Sequence, residues 1–296
     1  MCRHFGYLGP PVSLAELVLD PPHSLAVQSY APTDMRGGGK VNVDGFGVGW
    51  FSAEAEAPPG ARRYRRAVPI WQDAAFAELA RGTVAVGALA AVRNATAGMP
   101  VAEAACAPFT DGQWLFSLNG RIAGWPDTAV WLADSVPRRE LLGIQVLTDA
   151  SLLWALLRQR LAASHDPAAA LAGLITEVLA AAPGSRLTTL LTDGRQILGT
   201  TVTHSLCWRR SSAGVLVASE PFDDDPGWQP IPDGQLVVAD RSGVRYRPLK
   251  SDRDDTSSDD TSSDDTSSDD TSSDDTSSDD TSSDDTESES HVHQRR

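Results

Sequence analysis

Met1-Cys2-Arg3-His4-Phe5-Gly6-Tyr7-Leu8 opens the chain, and the fold follows from how this stretch is read. A cysteine in second position is small enough for the initiator methionine to be removed. The residue left behind carries a thiol and a free α-amino group. An α-amino group titrates at roughly 7.7–8.0 and a thiol at roughly 8.5. The amine is therefore partly unprotonated near neutral pH and can take the thiol proton, directly or through one water. Nucleophile and base then come in one residue. Residues 3–8 read as a short apolar strand ending at Gly9-Pro10-Pro11. Such a strand mounts Cys2 rigidly, which a frayed terminus cannot do. Taken alone, Cys2 is better explained as an accidental, inert cysteine, so the downstream residues must decide.

Outward from that strand, Ser13 with Glu16 three residues on has capping-box spacing, and Pro21-Pro22 closes the helix. Residues 23–30 read as a second short helix, followed by the loop Gly37-Gly38-Gly39-Lys40. Asp44-Gly45-Phe46-Gly47-Val48-Gly49-Trp50-Phe51 alternates strictly, with glycines on one strand face and Phe46, Val48 and Trp50 on the other. The glycine face admits another backbone or a ligand at close range. It lacks the strand–turn–helix context of a nucleotide loop. Arg62, Arg63, Arg65 and Arg66 around Tyr64 read as a solvated strand edge. Residues 83–93 are an apolar strand that delivers Arg93, and Gln113 to Leu118 leads into Asn119-Gly120, by itself a hairpin turn signal.

Pro126 to Ala133 reads as helical. Thr148-Asp149 precedes an amphipathic helix with Leu152, Leu153, Leu156, Leu157 and Leu161 in its stripe, which Asp149 would cap. Asp166-Pro167 starts another, ending before Gly184. From Arg186 short strands with turn signals suggest an antiparallel meander. Strands, then helices, then strands favour helices packed outside antiparallel sheets, an α+β architecture.

Composition sets further bounds. Of 296 residues, those from 251 to 296 form an Asp-Asp-Thr-Ser-Ser repeat with 17 acids against 3 arginines, a net of −14 out of the chain's −15. Residues 1–250 hold the other 23 acids and 22 bases. The folded part is nearly neutral, which argues against a nucleic-acid surface. The repeat has nothing to bury and is expected to be a disordered tail behind a catalytic domain spanning 2–250. Cys2, Cys106 and Cys207 are too few and too scattered for a disulfide framework or a zinc site. No signal peptide or membrane span is evident, so the cytosol is the expected compartment.

Together these residues resemble class II glutamine amidotransferase domains, a branch of the N-terminal nucleophile hydrolases. The resemblance covers about residues 2–250 and implies a four-layer αββα sandwich. It implies Cys2 as nucleophile. Arg93, in Arg93-Asn94-Ala95-Thr96, is implied as the grip on a substrate α-carboxylate, with Asn94 beside it. Asn119 (side-chain amide) and Gly120 (backbone N–H) are implied as the oxyanion hole. Asp149, in Thr148-Asp149, is implied as partner of the substrate α-amino group. No metal or organic cofactor is implied. The chain departs from the family where Asn94 stands in place of a common tryptophan and Leu118 in place of a common histidine.

Met1 through Pro11, Asp44 through Trp50 and Ser219 through Trp228 narrow the likeness to a branch that cleaves a γ-glutamyl amide larger than glutamine. That implies a small-molecule γ-glutamyl substrate and no required partner protein. The implied leaving group carries a trimethylammonium, for which Trp50, Trp71, Trp114 and Trp125 are the aromatic candidates. Glu220 is a candidate supporting or leaving-group contact. Two other readings are a glutaminase subunit feeding a separate synthase and a non-catalytic γ-glutamyl-binding module.

Overall fold

Two glycine-interrupted strands buried on both faces, within Arg3–Ser13 and Phe46–Phe51, set the layers of the molecule. The computed structural model describes residues 2–35, 41–52, 60–96 and 98–249. The Gly37-Gly38-Gly39-Lys40 loop and the acidic tail, expected to be disordered, lie outside these residues. The elements run β1 (Arg3–Ser13), α1 (Leu14–Val18), α2 (Leu25–Gln28), β2 (Phe46–Phe51), β3 (Arg62–Arg66), α3 (Ala74–Gly82), β4 (Val84–Val92), β5 (Phe109–Thr110) and β6 (Leu115–Arg121). They continue through α4 (Val130–Asp134), α5 (Arg138–Leu142), α6 (Asp149–Ala163), α7 (Pro167–Ala181), β7 (Arg186–Thr192), β8 (Ile197–Thr201), β9 (Leu206–Ser211) and β10 (Gly214–Ala218). The last three strands are β11 (Gln229–Ile231), β12 (Gln235–Asp240) and β13 (Gly243–Pro248).

Two antiparallel sheets result. One has seven strands in the order β11-β9-β10-β1-β4-β2-β3, the other six in the order β13-β12-β8-β7-β6-β5. Three apolar clusters define four layers. Phe5, Tyr7, Phe46, Val48 and Trp50 pack under α1, α2 and α3. Leu8, Phe51, Leu89, Leu115, Leu190 and Ile197 fill the space between the sheets. Phe116, Leu118, Leu187 and Leu191 pack under α6 and α7 with Leu153, Leu157, Leu171 and Ile175. This is the αββα sandwich.

The glycine face of β2 meets the second sheet. A Cβ on Gly47 would lie 2.3 Å from the Ala107 carbonyl oxygen, and one on Gly49 would lie 2.5 Å from Leu115. The close neighbour is therefore the protein's own chain.

Several expectations are corrected. Strand β1 does not stop at Gly9-Pro10-Pro11. Its register against β4 shifts between Leu8 and Val12, and a bulge tolerates prolines that lack a donor. The residues after 186 are not one meander. Strands β7, β8, β12 and β13 belong to one sheet, and β9, β10 and β11 join β1 in the other. No element was expected over residues 74–82, where α3 forms; Asp73 caps it by accepting a bond from the Phe76 N–H, and it buries Phe76 and Ala80. Asn119-Gly120 lies inside β6, paired with Thr188 and Leu187, and makes no turn. Among the described residues no helix is long and apolar enough to cross a membrane.

Candidate active site

Strand register gathers the candidate residues at one end of the sandwich. Arg3 of β1 pairs with Val92 of β4, and Phe46 of β2 pairs with the same Val92. Cys2 and Arg93, each one residue further on, therefore emerge side by side. From the second sheet, β6 brings Asn119 and Gly120 to the same end. His4 Nδ1 and Ser117 Oγ, 2.7 Å apart, tie the two sheets together two residues from Cys2 and from Asn119.

Cys2, Arg93, Asn94, Gly120 and Asp149 line one open cleft with about 570 Å3 of empty volume. Phe46, Cys106, Phe109 and Leu118 add apolar walls. Asn119 is only 2% exposed behind this lining, and its Oδ1 has no hydrogen-bond partner. Gly120 has φ of +153°, and a Cβ there would lie 1.8 Å from the Arg186 carbonyl oxygen. Only glycine fits this position.

Asp149 opens α6 without capping it. Thr148 is the cap, in a reciprocal capping box with Ser151. The Asp149 carboxylate instead accepts from the Ala150 N–H at 2.8 Å and from the Ile122 N–H at 3.2 Å. Burial raises its pKa, and the Ala150 and Ile122 N–H groups and the Arg93 charge only partly oppose that. The Arg93 side chain donates to the Pro100 carbonyl at 3.2 Å.

Sequence reasoning missed the residue that shapes this loop. Asp44 donates its N–H to the Arg93 carbonyl and accepts the Ala95 N–H at 2.7 Å, folding Arg93–Thr96 back over the cleft. The signal was its place just before the alternating glycines. The candidate tryptophans lie elsewhere. Trp50 and Trp114 are buried core, Trp71 is exposed, and Trp125 packs against the outer core; none lines this cleft. Its aromatic walls are Phe46 and Phe109.

Behind Cys2 lies a buried polar network. Arg3 and Glu220, each 1% exposed, form an ion pair. Arg3 also donates to the Cys2 carbonyl at 3.1 Å and to the Asp34 carbonyl. Glu220 further accepts from His23 at 2.8 Å, and from the Thr33 N–H at 2.8 Å and hydroxyl at 2.7 Å. Burial alone would raise the Glu220 carboxyl, but His23, Thr33 and Arg3 outweigh it and hold it at about 2. Glu220 thus touches Cys2 only through Arg3. His4 and His204 are buried, and burial lowers them to about 3 and about 4, with the Arg3 charge adding to the effect. Both rings are neutral at physiological pH.

A cysteine at the start of a central strand, facing a cleft between two antiparallel sheets flanked by helices, defines a class II glutamine amidotransferase-type N-terminal nucleophile hydrolase. A class II glutamine aminotransferase domain protein from Silicibacter pomeroyi superposes with a TM-score of 0.60 at 23% identity, covering 84% of this chain and 100% of that one. The glutamine phosphoribosylpyrophosphate amidotransferase of B. subtilis superposes with a TM-score of 0.59 at 13% identity, over 84% of this chain and 49% of that one. No family model matches the sequence. The gamma-glutamyl-hercynylcysteine sulfoxide hydrolase of Mycolicibacterium smegmatis is 42% identical over 249 residues, 84% of this chain and 100% of that protein. The protein of the same name from Mycobacterium tuberculosis is 41% identical over 84% of this chain and 97% of its own length. The chain belongs to this hydrolase family.

Proposed function

We propose that the protein hydrolyses the γ-glutamyl amide bond of γ-glutamyl-hercynylcysteine sulfoxide, releasing glutamate and hercynylcysteine sulfoxide, a step of ergothioneine biosynthesis. The observation that carries this reading is the convergence of Cys2, Arg93, Gly120 and Asp149 on one cleft in a chain 42% identical to a hydrolase of that name.

Arg93 pairs with the α-carboxylate of the glutamyl unit, with Asn94 beside it, and Asp149 pairs with its α-ammonium. The γ-carbonyl then lies next to the Cys2 thiol. The Cys2 α-amine takes the thiol proton, and the thiolate adds to the carbonyl carbon. The negative charge moves to the carbonyl oxygen, held by the Asn119 amide and the Gly120 N–H. When the tetrahedral adduct collapses, the C–N bond breaks and the α-ammonium passes its proton to the leaving nitrogen. Water, deprotonated by the same amine, attacks the thioester. The C–S bond breaks, the thiol regains a proton and glutamate leaves. These steps need only this chain's own groups and water. The catalytic domain spans 2–250, no partner protein is needed, and the cytosol keeps the thiol reduced.

The test is glutamate release from protein lacking Met1, with γ-glutamyl-hercynylcysteine sulfoxide and glutamine compared and Cys2→Ala as control. The sulfoxide should give the higher kcat/KM, and Cys2→Ala should be silent. A preference for glutamine would point to a synthase partner, and release by Cys2→Ala would exclude the thioester route.

A further inference from the structure

A second cleft opens beyond Phe109, with about 940 Å3 of empty volume. Phe109 lines both clefts and is their common wall. Arg63 and Arg65 of β3 line the second one, together with Glu140, Trp154 and Arg158. Strand alternation explains the arrangement. Arg62 and Arg66 are exposed, as a solvated edge requires, and β3 is an edge strand. Arg63 pairs with Gly49 and Arg65 with Gly47, so both arginines share the glycine face that turns toward the second sheet. Their surroundings correct the solvated-edge reading for these two positions.

Among the described residues, no carboxylate lies within hydrogen-bond distance of either guanidinium. Arg63 donates to the Pro108 carbonyl at 3.1 Å. Arg65, only 14% exposed, donates to the Ala104 carbonyl at 3.4 Å and to Gln145 Oε1 at 3.2 Å, and its ion pair with Glu103 is stretched to 3.9 Å. Of the three arginines lining the cleft, Arg158 takes the one lining carboxylate, Glu140, at 2.8 Å. Two neighbouring cations are left facing the cavity. Burial, and then the Arg65 charge, lower the pKa of Arg63, and the Glu103 charge opposes them only in part. Like charges held together out of bulk water disfavour each other, and an anion between them relieves both costs.

The identity of that anion rests on the proposed function. The glutamyl α-carboxylate is assigned to Arg93. Hercynylcysteine sulfoxide, the leaving group, carries a carboxylate on its cysteinyl part and another on its hercynyl part. Glutamine offers only ammonia. We propose that Arg63 and Arg65 form a subsite for a carboxylate of the leaving group, which extends from the scissile bond past Phe109. This subsite separates the larger γ-glutamyl amide from glutamine.

The experiment uses the full-length protein and Arg63→Gln, Arg65→Gln and double variants, with the sulfoxide and glutamine as substrates. The ratio of kcat/KM for the sulfoxide to that for glutamine should fall at least about tenfold in the double variant, mainly through KM, as expected for losing charge-assisted hydrogen bonds. Arg63→Lys should recover part of the ratio. An unchanged ratio, whether both activities persist or both fall together, overturns the subsite. A second arm needs no variant: the unaltered enzyme is given the sulfoxide with both leaving-group carboxylates converted to carboxamides. It should lose a similar factor, and equal turnover of the two substrates overturns the proposal. If the unaltered enzyme releases no glutamate from the sulfoxide, the functional reading itself fails and this one falls with it.

Discussion

At the scale of single residues, the cleft separates what grips from what reacts. Asn119 is buried with an unpartnered oxygen, two residues beyond the Ser117 that meets His4, as Cys2 is two residues before that histidine. As an oxyanion donor its loss should cost about 2.7–4 kcal/mol in the transition state. Asn119→Ala should therefore cut kcat by about a hundredfold to a thousandfold with little change in KM. A rise in KM alone, in steady-state glutamate release, would assign Asn119 to binding. Asp149 makes a different demand. Burial raises its carboxyl, so the grip on an α-ammonium should weaken earlier on acidification than an ordinary carboxylate would allow. Glutamine binding to the Cys2→Ala protein, followed by calorimetry, should fall with a midpoint above the usual Asp value of about 3.9. In the Cys2→Ala, Asp149→Asn double variant that pH dependence should vanish.

At the scale of elements, the loop carrying Glu220 reaches Cys2 through one arginine. Removing one partner of a buried ion pair strands the other, so Glu220→Ala should destabilise the protein by about 3–5 kcal/mol in urea titrations. The titrations of Glu220, His4 and His204 share one sign, and the raised Asp149 carboxyl has the opposite one. Glu220 is depressed to about 2, so its contribution is complete above the unfolded carboxylate range and is lost as pH falls toward that value. His4 and His204 are depressed to about 3 and about 4, so the unfolded chain binds protons first as pH drops below about 6.5. Three depressed groups act against one raised carboxyl, so Tm should be lower at pH 3 than at pH 7, and an equal or higher Tm at pH 3 would contradict the assignment. The elements themselves were unequally legible. Helices α6 and α7 were readable from caps and apolar stripes, and β2 from its alternation. The residues of the cleft were legible as motifs in order, because each motif is local. The sheet membership of β7 through β13 was not, since a turn signal does not say whether the next strand pairs or crosses to the opposite sheet. Nor were the inward turn of Arg63 and Arg65, which depends on β3 pairing with a glycine face, or the role of Asp44, which is made by contacts about fifty residues apart.

At the scale of the whole molecule, every described element belongs to the sandwich, and the candidate site draws only on residues up to Asp149. Truncation after Lys250 should leave kcat/KM for the sulfoxide within about twofold, because the residues that line the cleft all precede it. A large loss would move the domain boundary into the acidic repeat. Strand β1 is the fourth of seven in its sheet, with β4 on one side and β10 on the other. Central, doubly paired strands open only when the entire structure opens, while fraying is confined to margins. Cys2, the proposed nucleophile, is thus carried by the part of the protein that yields last. Heat or denaturant has no small local motion by which to detach Cys2 from its sheet, so loss of that mount and global unfolding become a single event.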